Sequence, residues 1–135
     1  MKISLSCILV FFVLFSNSSA FAESCSGTPI QTDAIKTLLN GNTICTNDSQ
    51  EQHRNGVEVA NVLKGDLWDF KKGAGDPVDP TSQVGTWEIH DDKVYYTYGS
   101  STYSNTVYVN GANICFDNTQ TITLATKKDG IVSCQ

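Results

Sequence analysis

The sequence predicts an all-β protein, a small antiparallel meander β-barrel of about eight strands with one short N-terminal helix. Between Val84 and Asp117, apolar and polar residues alternate with the period of two that is typical of strands with one buried face. Short turns rich in Gly, Asn and Asp separate these segments, which favours hairpins between consecutive strands. A β-sandwich is the alternative. Closure into a barrel is favoured because it removes the exposed edges of a threonine-rich sheet.

The N-terminal residues predict an export signal. Lys2 precedes an apolar run from Ile8 to Phe15, and Ala20-Phe21-Ala22 fits the small-x-small pattern of a signal-peptidase site. The run is shorter than the roughly 20 apolar residues that cross a bilayer. We therefore expect residues 1–22 to be a signal peptide and residues 23–135 to form one domain without a transmembrane segment. The expected location is periplasmic or secreted.

Cysteine usage agrees with export. Cys7 lies in the signal peptide, and the other four cysteines predict two disulfides in an oxidising compartment: Cys25, Cys45, Cys115 and Cys134. Three pairings are possible, and the sequence does not choose among them. Closely spaced cysteine pairs of the metal-binding kind are absent from the sequence. We expect neither a metal nor another cofactor.

The first elements after the signal are a short helix and a strand. Thr32 is placed to cap the N terminus of the helix, an apolar stripe follows, and Gly41 favours a left-handed stop. Residues 42–46 predict a strand with Ile44 and Cys45 on opposite faces. The helix stripe is expected to cover an end or a flank of the barrel.

A polar stretch and a hairpin come next. Residues 47–56 are polar and end in the turn dipeptide Asn55-Gly56, so they predict a loop. Residues 57–63 predict one strand, Lys64-Gly65 a turn, and residues 67–71 the second strand. The apolar face of this second strand is predicted to carry Trp68 and Phe70.

The longest stretch without periodicity runs from Gly73 to Gly85. Loops of this length in compact domains are disproportionately functional. Its sharpest feature is Asp76-Pro77-Val78-Asp79-Pro80, in which Asp76 and Asp79 could contribute oxygens to a Ca²⁺ site. Asp before Pro is also a common turn initiator, and the turn is the interpretation that we favour.

The meander itself gives the clearest side-chain directions. Trp87 and Ile89 are predicted to point inward, with Glu88 and His90 outward and a turn at Asp91-Asp92. Further turns are expected at Gly99 and at Asn110-Gly111. The chain should end with a strand over residues 122–126 and a short ninth strand over residues 131–133.

Two resemblances accompany this pattern. The chain resembles a group of small exported bacterial proteins of uncharacterised function, and the matching segments are Leu38 to Cys45, Leu67 to Gly73, Gly75 to Pro80, Val84 to Trp87 and a later Cys-Phe pair. This resemblance implies export and a common β fold, and it implies no activity. Gly85-Thr86-Trp87 also resembles the G-x-W strand opening of lipocalins and other calycins, which are barrels that hold apolar ligands. That resemblance implies a calycin-like barrel.

Catalytic signatures are scarce. The only histidines are His53 and His90, and a metal site would need both to converge with a carboxylate. The G-x-S-x-G signature of serine nucleophiles is absent from the sequence. We therefore assign no catalytic residue and expect that the protein is not an enzyme.

Aromatic side chains are the remaining candidates for binding. An interior pocket for a small apolar or aromatic ligand would use Trp68, Trp87 and Tyr96, whereas an outward patch for a protein partner would use Tyr95, Tyr103 and Tyr108. The formal net charge of −5 argues against nucleic acid. The sequence thus favours a binding or interaction protein, with a ligand carrier as the alternative and a hydrolase or metal-dependent enzyme as the third possibility.

Overall fold

The structure is a computed structural model that describes residues 24–69 and 82–134. Within these residues, one helix precedes eight strands that form a closed antiparallel barrel in chain order. The predicted all-β meander barrel is therefore confirmed. The elements are α1 (Thr32–Leu39), β1 (Thr43–Cys45), β2 (Gln50–Val59), β3 (Val62–Asp69), β4 (Ser82–His90), β5 (Lys93–Tyr98), β6 (Ser101–Asn110), β7 (Asn113–Asp117) and β8 (Ile122–Lys128). The predicted signal peptide, Phe70, Asp76 and Asp79 lie outside the described residues.

The meander from β4 to β7 contains the predicted consecutive hairpins. Trp87 and Ile89 are fully buried and pair with Tyr96 and Val94 of β5, so these four side chains point into the barrel. Both Asp91 and Asp92 have positive φ, as the predicted tight turn requires. The predicted loop that extended to Gly85 is wrong in its last residues, because β4 already begins at Ser82.

The loop predicted for residues 47–56 is also wrong over most of its length, because β2 begins at Gln50. The predicted turn at Asn55-Gly56 is instead an irregularity within β2, where the register shifts between Arg54 and Val57. The hairpin turn lies at Ala60-Asn61, whose φ values are 51° and 67°. Both values are positive, as a two-residue turn matching the strand twist requires.

The predicted turn at Lys64-Gly65 is wrong for a different reason. Strand β3 runs straight through Gly65, which lies opposite Trp87 of β4. A Cβ atom at this position would lie 2.3 Å from the Arg54 carbonyl oxygen and 2.8 Å from the Trp87 ring. The glycine therefore makes room for the buried indole, and it does not mark a turn.

Helix α1 closes one end of the barrel. Ile35 and Leu39 are fully buried and belong to the core cluster of the barrel. The predicted capping role of Thr32 is wrong: its backbone N–H donates a 2.8 Å hydrogen bond to Asp92 Oδ1, and Gln31 occupies the cap position. Asp92 belongs to the β4–β5 turn, so this hydrogen bond holds the N terminus of α1 at the end of the barrel that carries this turn.

The disulfides pair Cys25 with Cys115 and Cys45 with Cys134. Cys45 and Cys115 both alternate with inward-facing apolar residues, so both bonds hold terminal segments against the outer wall. Residues 131–133 form no strand, contrary to the prediction. Two disulfides indicate an oxidising environment of the kind met on export. Across residues 24–69 and 82–134, we find no helix with the length and apolarity needed to cross a membrane.

Candidate functional site

A cavity of about 630 Å³ opens at the barrel end opposite α1. Its rim includes the β1–β2 and β7–β8 connections, whereas α1 contacts the end that carries the β4–β5 turn. The walls combine aromatic and polar side chains, among them Glu51, Tyr96, Tyr98, Tyr103, Asn105 and Phe116. These residues come from β2, β5, β6 and β7, so the cavity is the mouth of the barrel interior.

The floor of the cavity is a buried aromatic layer. His53 Nε2 lies 2.9 Å from the Tyr96 hydroxyl oxygen, and this contact joins β2 to β5 across the lumen. The His53 ring centroid is 5.6 Å from that of Trp87, whose indole N–H donates a 3.0 Å hydrogen bond to the Asp66 carbonyl. His53 Nε2 and the Trp87 indole N–H are thus paired, whereas the buried His53 Nδ1 has no hydrogen-bond partner among the described residues.

Burial sets the charge state of this floor. Loss of solvent lowers the pKa of His53 to about 3, so its imidazole is neutral at neutral pH. Burial also raises the pKa of the Tyr96 hydroxyl well above its ordinary value of 10.0. The pair is therefore an uncharged hydrogen-bonding unit.

A carboxyl group lies above the floor. The Tyr98 hydroxyl donates a 2.7 Å hydrogen bond to Glu51 Oε1, again from β5 to β2. Burial raises the pKa of Glu51 above its ordinary value of 4.5, the Tyr98 hydrogen bond opposes this shift, and the charge of Asp69 adds to it. Asp69 lies opposite Glu51 on β3. The mouth thus holds acidic groups in surroundings of reduced solvation.

Aromatic rings complete the wall. The Tyr98 and Tyr103 ring centroids are 6.2 Å apart, and those of Tyr96 and Phe116 are 6.3 Å apart. Tyr103 is 46% exposed at the rim, whereas Tyr96 and Phe116 are buried. A ligand in the mouth would therefore meet ring surfaces together with the Tyr98–Glu51 pair.

The structure separates the predicted pocket residues. Trp87 and Tyr96 face the interior together, as expected. Trp68 does not join them, because Leu67 takes the inward position opposite His53. Trp68 faces outward, and the Arg54 guanidinium carbon lies 4.6 Å from its ring centroid. The interior placement predicted for Trp68 is thus wrong.

The predicted tyrosine patch is also divided. Tyr103 pairs with Tyr96 and shares its inward face, which places Tyr103 at the cavity mouth. Tyr95 points outward and stacks on His90 with ring centroids 4.3 Å apart. Tyr108 is on the outer wall, where it pairs with Pro29 of the N-terminal segment. The three tyrosines therefore do not form one surface.

The two histidines do not converge. His53 is inside the barrel, and His90 lies on the outer face, where its Nδ1 is 2.9 Å from Asp91 Oδ2. In the part of the chain that the structure describes, no group of three or more His, Cys, Asp or Glu side chains is placed to hold a metal ion.

The site residues that sequence reasoning missed lie mainly on β2. Glu51 and His53 point into the lumen from a stretch that its polarity marked as a loop. Asn105 is 8% exposed and also lines the mouth. The spacing of residues 51 and 53 would place them on one face of a strand. Because neither side chain is apolar, the alternation that indicates a strand is missing.

Comparison with protein-family models, curated proteins and solved structures finds no significant match. The resemblances drawn from sequence segments therefore stay predictions.

Proposed function

We propose that this protein is exported and binds a small ligand in the mouth of its barrel, without catalysing a reaction. The observation that carries the proposal is the cavity of about 630 Å³. Pockets that enclose small molecules commonly measure roughly 300 to 1,000 Å³. The carrier alternative is therefore preferred over an outward tyrosine patch, whose members do not share a face.

The composition of the walls supports the same proposal. Phe116, Ile44 and the tyrosine rings supply apolar area, while Glu51 and Asn105 supply hydrogen-bonding groups. Binding pockets typically combine a mainly apolar lining with a few polar groups that orient the ligand. The expected ligand has an aromatic or apolar body and at least one polar substituent.

The rigidity of the site favours binding as well. The cross-lumen contacts of His53 with Tyr96 and of Glu51 with Tyr98 hold opposite walls at fixed separation. A pocket that is formed before the ligand arrives loses less conformational entropy on binding. The closed barrel thus suits a preorganised binding site.

The test uses the neutral fluorophore N-phenyl-1-naphthylamine, whose emission rises in apolar surroundings. We expect saturable enhancement with the wild-type protein. Thr123 faces inward beside Phe116 and lines the cavity, so Thr123→Trp should fill the mouth and abolish the enhancement. Thr86→Trp is the matched control, because Thr86 is exposed and alternates with the inward-facing Trp87. Unchanged binding by Thr123→Trp, or no saturable binding at all, would overturn the proposal.

A further inference from the structure

The described part of the cavity lining is acidic and carries no basic group. Asp48 and Glu51 are among its residues, whereas Lys, Arg and His are absent from the described lining. Asp69 adds negative charge beside Glu51. The field inside the mouth therefore favours a cation over an anion.

The tyrosine rings near Glu51 also favour binding of a cation. Tyr98 lies next to the carboxyl group through its hydroxyl, and Tyr103 lies against Tyr98. Aromatic faces carry negative quadrupole density and attract ammonium groups within about 6 Å of the ring centroid. A carboxyl group with neighbouring tyrosine rings is a combination that recognises organic ammonium ions.

A cationic ligand would also stabilise the ionised carboxylate of Glu51. One carboxyl oxygen accepts the Tyr98 hydrogen bond, yet burial still raises the pKa of the group. A neighbouring positive charge favours the ionised carboxylate and offsets its desolvation. An ammonium group can supply this charge and donate a charge-assisted hydrogen bond at the same time.

We propose that the ligand of the mouth is a small organic cation, a protonated amine with an aromatic or apolar body, whose ammonium group binds at Glu51 beside Tyr98 and Tyr103. The body fills the volume lined by Tyr96 and Phe116. This inference rests on the proposed function. A bare metal ion is a poorer match, because residues 24–69 and 82–134 contain no cluster of three metal-ligating side chains and the cavity is far larger than an ion.

The experiment compares three compounds of similar size: 2-phenylethylamine, 2-phenylethanol and 3-phenylpropionate. Each compound is titrated into the wild-type protein with bound N-phenyl-1-naphthylamine at pH 7, and displacement of the fluorophore is measured. We expect the amine to bind about tenfold more tightly than the alcohol, with the carboxylate weakest. Added salt should lower the affinity of the amine and not that of the other two compounds, since only the amine is held by attraction between opposite charges.

The variants assign that preference to one residue. Glu51→Gln should reduce the ratio of amine affinity to alcohol affinity to near unity, with both affinities measured on the same variant. Glu88→Gln is the matched control, because Glu88 lies on the outer face of β4 and undergoes the same change of charge. If Glu51→Gln does not fold, the preference and its salt dependence in the wild-type protein still decide.

The outcomes separate the two proposals. Fluorophore binding that Thr123→Trp abolishes, without preference for the amine, would overturn the cation and leave the binding site standing. Tighter binding of the carboxylate, or a preference unchanged in Glu51→Gln, would also overturn the assignment. Failure of every compound and of the fluorophore to bind would overturn both proposals.

Discussion

Glu51 and Tyr98 are joined across the barrel lumen by a 2.7 Å hydrogen bond, although β3 and β4 separate their strands in the sheet. One layer deeper, His53 and Tyr96 repeat the connection between the same two strands. Hydrogen bonds between neighbouring strands fix register, whereas these side-chain contacts fix the distance between opposite walls. The shape of the mouth therefore depends on a few polar side chains as well as on the backbone ladder.

The first prediction concerns the upper of these contacts. Tyr98→Phe removes the donor to Glu51, and we expect the free energy of unfolding at pH 7 to fall by about 1–3 kcal/mol. Tyr103→Phe is the matched control at the more exposed rim, where a loss below about 0.5 kcal/mol is expected. Urea denaturation measures both. Equal losses in the two variants would show that the cross-lumen bond adds no stability of its own.

The second prediction follows from the charge of Glu51. Its pKa is raised in the folded state, so the native protein holds this proton more tightly than the unfolded chain does. Below pH 4.5 the group is protonated in both states, and as pH rises through the raised pKa the native state must bury a charge and loses stability. Glu51→Gln removes this loss. Its unfolding free energy relative to the wild type should rise between pH 4 and pH 8, while Glu88→Gln follows the wild-type profile.

The third prediction concerns His53 and has the opposite sign. Its pKa falls from 6.5 to about 3 on folding, so the unfolded chain binds the extra proton between these values. The contribution of His53 to the free energy of unfolding is fully present above pH 6.5. It declines as pH falls, by at most about 1.4 kcal/mol per pH unit. His53→Gln keeps a neutral hydrogen-bonding side chain and should flatten the decline in urea titrations between pH 6.5 and pH 4.5. A variant with the wild-type slope would contradict the assignment.

These two groups also explain which part of the fold could be predicted. The β4–β7 meander was readable because Trp87 and Ile89 are buried while their neighbours Glu88 and His90 are more exposed. Over residues 50–56 of β2 both faces are polar, since Glu51 and His53 point inward and contact the cavity layers. Its outward residues Gln50 and Gln52 are polar too, although they are buried. A strand without an apolar face has the composition of a loop.

The candidate site was predictable only in its aromatic half. Tyr96 and Trp87 follow from the meander, but the identity of the inward residue on β3 depends on pairing across strands that periodicity alone does not fix. Leu67 took the place expected for Trp68, and Tyr103 faces the lumen from a position that resembled an exposed turn. Glu51 could not be predicted as a site residue from the sequence, because its contact with Tyr98 depends on β2 and β5 facing each other across the lumen.

The last prediction compares the two disulfides, whose cysteines are 90 and 89 residues apart in sequence. The two disulfides should therefore restrict the unfolded chain nearly equally, and replacement of either cysteine pair by serine should lower the free energy of unfolding by about 2–4 kcal/mol in urea.

The local effects of the two disulfides should differ. The Cys134 N–H donates a hydrogen bond to Gln50 Oε1, and the Val132 N–H donates one to Thr43 Oγ1. Because β1 and β2 form one wall of the mouth, loss of Cys45–Cys134 should raise hydrogen exchange there and weaken fluorophore binding. The Cys25–Cys115 variant should instead loosen β6, with which residues 29 and 30 pair, and β7, which carries Cys115. Identical exchange patterns in the two variants would contradict this division.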